Sequence, residues 1–376
     1  MAKPSYKIVF CGIEHFSDGR EFTKPHLEAE GGSLCNVVAC DVQNLVDEIK
    51  DCTVLIPMMA KVTKDLIDIS TNLRMIMQFG VGIEGIDIQA ASRRGIFVCN
   101  IPSEGVGNAE SCAELCIFLA MSLLRDFNAL RKSISNGKLG TPTGRTLFGS
   151  NAIIYGFGGM GKNLLRRLAP FQLANVSVVV REEKVSESSK QNHSVRFISH
   201  AELKTYAGTA DIVFLCCSLN KDTVGIVDAE FISHLKRGCL IVNVSRVTTV
   251  RCMFMLPINY HSYEIGCNYI TLCVDIFSNY SPFRIKGGLI NYTDALEALE
   301  SGQLGGLGLD VFHTEPFPPT DPILQHSKVI ATPHVGGVTQ ISYRAMAKIT
   351  AENIMRVVSG QQPENAVNLK EIAELA

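Results

Sequence analysis

Residues 152–168 read Ala152-Ile153-Ile154-Tyr155-Gly156-Phe157-Gly158-Gly159-Met160-Gly161-Lys162-Asn163-Leu164-Leu165-Arg166-Arg167-Leu168. An apolar run enters a glycine-rich turn, and a run with helical spacing leaves it. Glycine is common here (31 residues), so the G-x-G-x-x-G spacing alone would suit a structural turn. The flanking strand and helix decide the reading. Gly156 permits the tight turn, Gly158 lets a pyrophosphate approach the backbone, and Gly161 lets strand and helix pack closely. The helix N-terminus then faces the phosphates. Gly156, Phe157, Gly158, Gly159, Met160 and Gly161 are therefore the expected dinucleotide cradle.

The same alternation extends both ways. Upstream, Ile8-Val9-Phe10, Val54-Leu55-Ile56 and Met75-Ile76-Met77 read as short buried strands, with helical turns at Leu45–Ile49 and Lys64–Ile69. A long helix is expected from about Ala109 to Ser133, with Leu115, Phe118, Leu119, Ser122 and Leu123 on its apolar face. Downstream, strands are expected at Val176–Val180, Asp211–Cys217, Leu240–Val244, Gly308–Val311 and Val329–Ala331. A final helix is expected from Ser342 to Val358, returning to the first unit. This rhythm predicts an α/β chain of two parallel-sheet domains. The cofactor domain is placed at 104–335, and the substrate domain at 1–103 plus 336–376.

Composition narrows the function. The chain has 376 residues, a net charge of −2 and 46% apolar residues, so no basic field invites nucleic acid. No apolar run is long enough to span a bilayer. The N-terminus shows no signal or transit pattern, so a cytoplasmic protein is expected. The 13 cysteines form no CxxC pair, so neither a metal nor a redox role is expected.

The ribose reader should follow the second strand, which ends Val180-Arg181-Glu182-Glu183. The acid typical of NAD sites is missing from the strand tip. Arg181 can pair a 2′-phosphate there, so the cofactor is read as NAD(P), leaning to NADP. The alternative has Glu182 taking the ribose hydroxyls.

Three further strings follow in order: Val242-Asn243-Val244-Ser245-Arg246, Asp310-Val311-Phe312-His313-Thr314-Glu315-Pro316 and Thr332-Pro333-His334-Val335-Gly336-Gly337. Oxidising a hydroxy acid requires removal of the hydroxyl proton, which suits histidine. A carboxylate on its far nitrogen fixes the tautomer, and a guanidinium forks a substrate carboxylate. Arg246, Glu315 and His334 each lie just past an apolar strand, so they can meet in one crevice. Asp310, at another strand end, joins the expected cofactor set.

This ordered set resembles the D-isomer-specific 2-hydroxyacid dehydrogenases, whose N-x-x-R-G, D-V-F-x-x-E-P and T-P-H-x-G-G segments carry the catalytic trio. The resemblance implies catalytic Arg246, Glu315 and His334. It implies a substrate loop at Phe79–Asp87, with the Val81 and Gly82 amides on the substrate carboxylate. It implies a Rossmann-type domain inserted in a flavodoxin-like one, and a homodimer through the cofactor domain. The implied activity is hydride transfer between NAD(P) and a small 2-hydroxy or 2-oxo acid of the hydroxypyruvate, glyoxylate or 3-phosphoglycerate type.

One stretch departs from the pattern. The 40 residues Val247–Lys286 separate Arg246 from Gly287-Gly288, its natural continuation in the family. The stretch has no alanine and one glycine, but four of the nine tyrosines (Tyr260, Tyr263, Tyr269, Tyr280). It shows no clear period, and a structureless loop this long is foreign to a compact domain. Valine codons begin GT and a lysine codon can end AG, so a retained in-frame intron is the expected origin. The rival is an evolved lid or partner loop. The stretch also leaves room for a second reading of the protein, as a catalytically impaired, cofactor-binding regulatory isoform.

Overall fold

The computed structural model describes residues 6–12, 16–31, 34–186, 195–245 and 288–375. Arg246 and the whole of 247–286 lie outside them. Two parallel sheets carry the described residues.

The first sheet contains β1 (Tyr6–Cys11), β2 (Cys35–Cys40), β3 (Val54–Ile56), β4 (Met75–Met77) and β5 (Phe97–Cys99), in the order β2-β1-β3-β4-β5. This is the flavodoxin-like order. The central strands β3 and β4 are buried throughout, which is why they read as unbroken apolar runs. Edge strand β2 carries Asn36 and is only partly buried, so its pattern is weak.

The second sheet contains β6 (Asn151–Tyr155), β7 (Asn175–Val179), β8 (Val195–Ile198), β9 (Ile212–Leu215), β10 (Cys239–Asn243), β11 (Leu304–Leu309) and β12 (Val329–Ala331). Its order is β12-β11-β10-β9-β6-β7-β8. The winding reverses between β6 and β9, where Tyr155 pairs with Leu215. A doubly wound sheet binds its ligand in the crevice beyond that point.

The helix expected from Ala109 to Ser133 is two helices, Asn108–Leu124 and Phe127–Ser135. The break has a local cause. Arg145 N–H takes the Leu124 carbonyl at 2.7 Å, and Asp126 turns left-handed (φ 50°) to cap the second helix through Ala129 N–H. The expected apolar face is also partly corrected: Leu119 and Ser122 are buried, but Phe118 is 50% exposed.

The last long helix, Gln340–Val358, packs with Asp18–Gly31 over the first sheet, burying Met346, Ala351 and Ile354 against Ile8 and Phe10. Beyond it, Cys99 bridges Ala366. The buried Asn368 side chain accepts from Val98 N–H and donates to the Ile96 carbonyl, each at 2.9 Å.

Candidate active site

Between the two sheets lies a cleft of about 410 Å³. Its second-sheet wall includes Gly158, Gly159 and Met160, Cys216–Ser218, and Val244 with Ser245. Its other wall comes from residues 58–60, 78–85 and the start of the last long helix.

The glycine turn is shaped by what its missing side chains would strike. Gly156 has φ 106°, and a Cβ there would stand 2.7 Å from Cys217 N. A Cβ on Gly161 would stand 2.2 Å from the Gly156 carbonyl oxygen. A Cβ on Gly158 would meet nothing within 4 Å, because that position faces the open cleft. Two glycines thus close the turn and the third leaves a bare backbone, which fits a pyrophosphate on the helix Gly159–Leu168. Arg181 follows β7; its side chain is 75% exposed and lies 3.4 Å from Glu183.

His334 and Glu315 meet here. The His334 Nδ1 is 2.8 Å from Glu315 Oε2. Glu315 Oε1 accepts from Phe312 N–H at 3.0 Å. The glutamate side chain is 7% exposed and the histidine 39%, so the carboxylate lies behind an imidazole that opens on the cleft. The histidine is part of the cavity lining. His334 itself is left-handed (φ 55°). The loop that holds it so is tied to Asp310, which accepts from Thr332 Oγ1 at 2.6 Å and from Val335 and Gly336 N–H at 2.8 Å each. Asp310 is thus a strut of the His334 loop as well as a cleft residue, a role its sequence context did not signal.

The loop at Gly80–Gly82 faces this histidine across the cleft. Asn100 donates to the Val81 carbonyl at 2.6 Å, and Ile101 N–H to the Gly80 carbonyl at 2.9 Å. The carbonyls are so engaged, while the Val81 and Gly82 amides donate to no acceptor among the described residues. Asn100 was invisible in the sequence as a site residue.

Val244 and Ser245 bring the chain to the cleft edge, where Ser245 N–H donates to the Asn243 side chain at 3.1 Å. Arg246 comes next and lies outside the described residues. Where description resumes, Leu289 and Ile290 are buried, and the Gly288 carbonyl accepts from Gly225 N–H at 2.8 Å. Packing is therefore regular on both sides of 246–287. Cys217, also in the cleft, is pushed up to about 12 by burial and stays a thiol at neutral pH.

Residues 16–368 match the model of the D-isomer specific 2-hydroxyacid dehydrogenase catalytic domain. The chain belongs to this family. It is 27% identical over 335 residues to D-3-phosphoglycerate dehydrogenase of Methanocaldococcus jannaschii, covering 88% of this chain and 55% of that one. It therefore spans about half the length of the phosphoglycerate dehydrogenases it matches. The mouse glyoxylate reductase/hydroxypyruvate reductase is 26% identical, with 82% and 81% covered. The pyruvate reductase of Chlamydomonas reinhardtii superposes with a TM-score of 0.70 at 20% identity, covering 96% of this chain and 98% of that one, which attests the shared fold. No helix of the described residues is long and apolar enough to cross a membrane.

Proposed function

We propose that the protein is a nicotinamide-dependent 2-hydroxyacid dehydrogenase that reduces a small 2-oxo acid, with His334 as proton donor. The carrying observation is the Glu315–His334 pair on the same cleft as the glycine turn and the Gly80–Gly82 loop. A nicotinamide cofactor would rest on Gly156–Gly161 and supply the hydride for the carbonyl carbon. The remaining work belongs to the chain. Val81 and Gly82 amides hold the substrate carboxylate, and Arg246, as the family pattern implies, forks it. His334 gives the carbonyl oxygen its proton from Nε2, and Glu315 holds the tautomer and offsets the charge. The Glu315–His334 pair counts against a purely binding role. The candidate substrates are hydroxypyruvate, glyoxylate and 3-phosphohydroxypyruvate.

Two finer readings belong to the same proposal. Arg181, exposed beyond β7, favours NADP over NAD through a 2′-phosphate. A cytoplasmic homodimer forms through the cofactor domain: Phe118, Met121, Phe127, Ile134 and Phe148 are all exposed on its outer helices and following loop. Steady-state oxidation of NADH and NADPH by the three acids tests the activity. No oxidation by any of them overturns it.

A further inference from the structure

The first-domain wall of the cleft is apolar at the substrate end. Phe16, Met58, Met59, Phe79 and Met346 line it, and Phe16 stands edge-on to His334 with centroids 5.4 Å apart. Phe79 immediately precedes the Gly80–Gly82 backbone. Tyr343 completes the wall and is only 4% exposed. Its ring is held edge-on by Phe22 at 5.9 Å and by Phe79 at 5.5 Å.

The Tyr343 hydroxyl has no hydrogen-bond partner among the described residues, yet it is not one of the fully sealed unpaired atoms. Buried phenols normally find a partner. One left unpaired on a ligand cleft implies that the ligand supplies it. Burial, with a smaller contribution from Asp18, pushes Tyr343 up to about 12, so it stays a neutral hydroxyl at physiological pH. The charged groups of the described lining, His334 apart, are Glu84, Asp310 and Glu315; no lysine or arginine stands among them. A phosphate dianion would meet carboxylates there, with no lysine or arginine among the described lining residues to balance it, which is costly in a partly desolvated cleft.

We propose that Tyr343 is a specificity-determining residue whose hydroxyl pairs with a hydroxyl on C3 of a 3-hydroxy-2-oxo acid whose side chain is uncharged. This rests on the dehydrogenase reading and narrows it. The apolar wall accommodates a short side chain, the Tyr343 hydroxyl reads one polar group on it, and a 3-phosphate is disfavoured.

Calorimetry on the full chain saturated with reduced cofactor tests this without turnover, because a hydroxy acid and a reduced cofactor cannot react. D-glycerate, D-lactate and 3-phosphoglycerate are titrated into the protein and into Tyr343→Phe, which keeps the ring and its packing. One neutral hydrogen bond predicts D-glycerate binding roughly three- to tenfold tighter than D-lactate. Tyr343→Phe should abolish that ratio while leaving D-lactate within about twofold, and 3-phosphoglycerate should bind most weakly. A variant that weakens both unphosphorylated acids equally overturns the proposal, since that is what a merely structural role gives. So does tightest binding of the phosphorylated acid, or binding of none of the three. Oxidation of reduced cofactor by any 2-oxo acid decides the dehydrogenase reading separately, so that reading can stand while this one fails.

Discussion

Replacing Glu315 by glutamine probes the proposed proton-transfer couple at single atoms. The two carboxylate oxygens accept from two different N–H groups, Phe312 N at 3.0 Å and His334 Nδ1 at 2.8 Å. Glutamine has nearly the same size but offers one acceptor oxygen and one NH2 group. Whichever way the amide turns, either the Phe312 N–H faces another donor or His334 must give up the Nδ1–H tautomer. The variant also removes the charge that stabilises the imidazolium. Unit charges at about 4 Å are worth about 4 kcal/mol at an effective dielectric of about 20. The imidazole is 39% exposed, so solvent screening removes a good part of this. About 2 kcal/mol remains, equivalent to a loss of roughly 30-fold. We expect kcat/KM for 2-oxo acid reduction to fall about 10- to 100-fold, with cofactor affinity within about twofold of the parent. Steady-state kinetics and a fluorescence titration of cofactor, both on the chain without residues 247–286, measure the two quantities. A variant within threefold of its parent refutes the reasoning. A matching loss of cofactor affinity refutes it too, because the cleft as a whole would then have changed.

Other outcomes follow from the same geometry. Gly158→Ala should fold normally, since a Cβ there meets nothing within 4 Å, but bind cofactor at least tenfold more weakly; Gly161→Ala, whose Cβ would stand 2.2 Å from the Gly156 oxygen, should also lose stability in a denaturant melt. Equal denaturant midpoints for the two variants would contradict this account of the turn. Arg181→Ala should reduce any preference for NADPH over NADH by roughly fivefold, a modest factor because the side chain is exposed; an unchanged ratio assigns the ribose to another group. Deleting Val247–Lys286 should raise kcat/KM by about 10²-fold, because Arg246 would then be tethered directly to Gly287 as the family pattern requires. Equal values with and without the segment would mark it as an evolved insertion.

How legible the molecule was in its sequence depends on burial. Strands buried on both faces, such as Val54–Ile56, Met75–Met77 and Ile153–Tyr155, announce themselves as apolar runs. Cys35–Cys40 and Val195–Ile198 lie at sheet edges, where one side needs no apolar cover, and they were passed over. The helix break at Asp126 was hidden because it depends on a carbonyl captured by Arg145, twenty-one positions beyond Leu124. In the site, the glycine turn and the order of Glu315 and His334 could be read from local strings. The supporting groups could not. Asn100 acts through the Val81 carbonyl, and Asp310 through amides of a loop more than twenty residues away. Phe16 and Tyr343 read as ordinary core residues until the fold sets them against one cleft. Arg246 and the segment after it lie outside the described residues, so their reading rests on sequence.

The central claim is that His334 moves the proton for a nicotinamide-dependent reduction in this cleft. The direct measurement is cofactor oxidation by glyoxylate and hydroxypyruvate, comparing the chain lacking 247–286 with the same chain carrying His334→Ala, alongside cofactor affinity for each. The account predicts measurable turnover in the first and a kcat lower by about 10²- to 10⁴-fold in the second, with cofactor affinity near normal in both. A variant that keeps most of its activity, or a parent that binds cofactor and oxidises none with either acid, would contradict it.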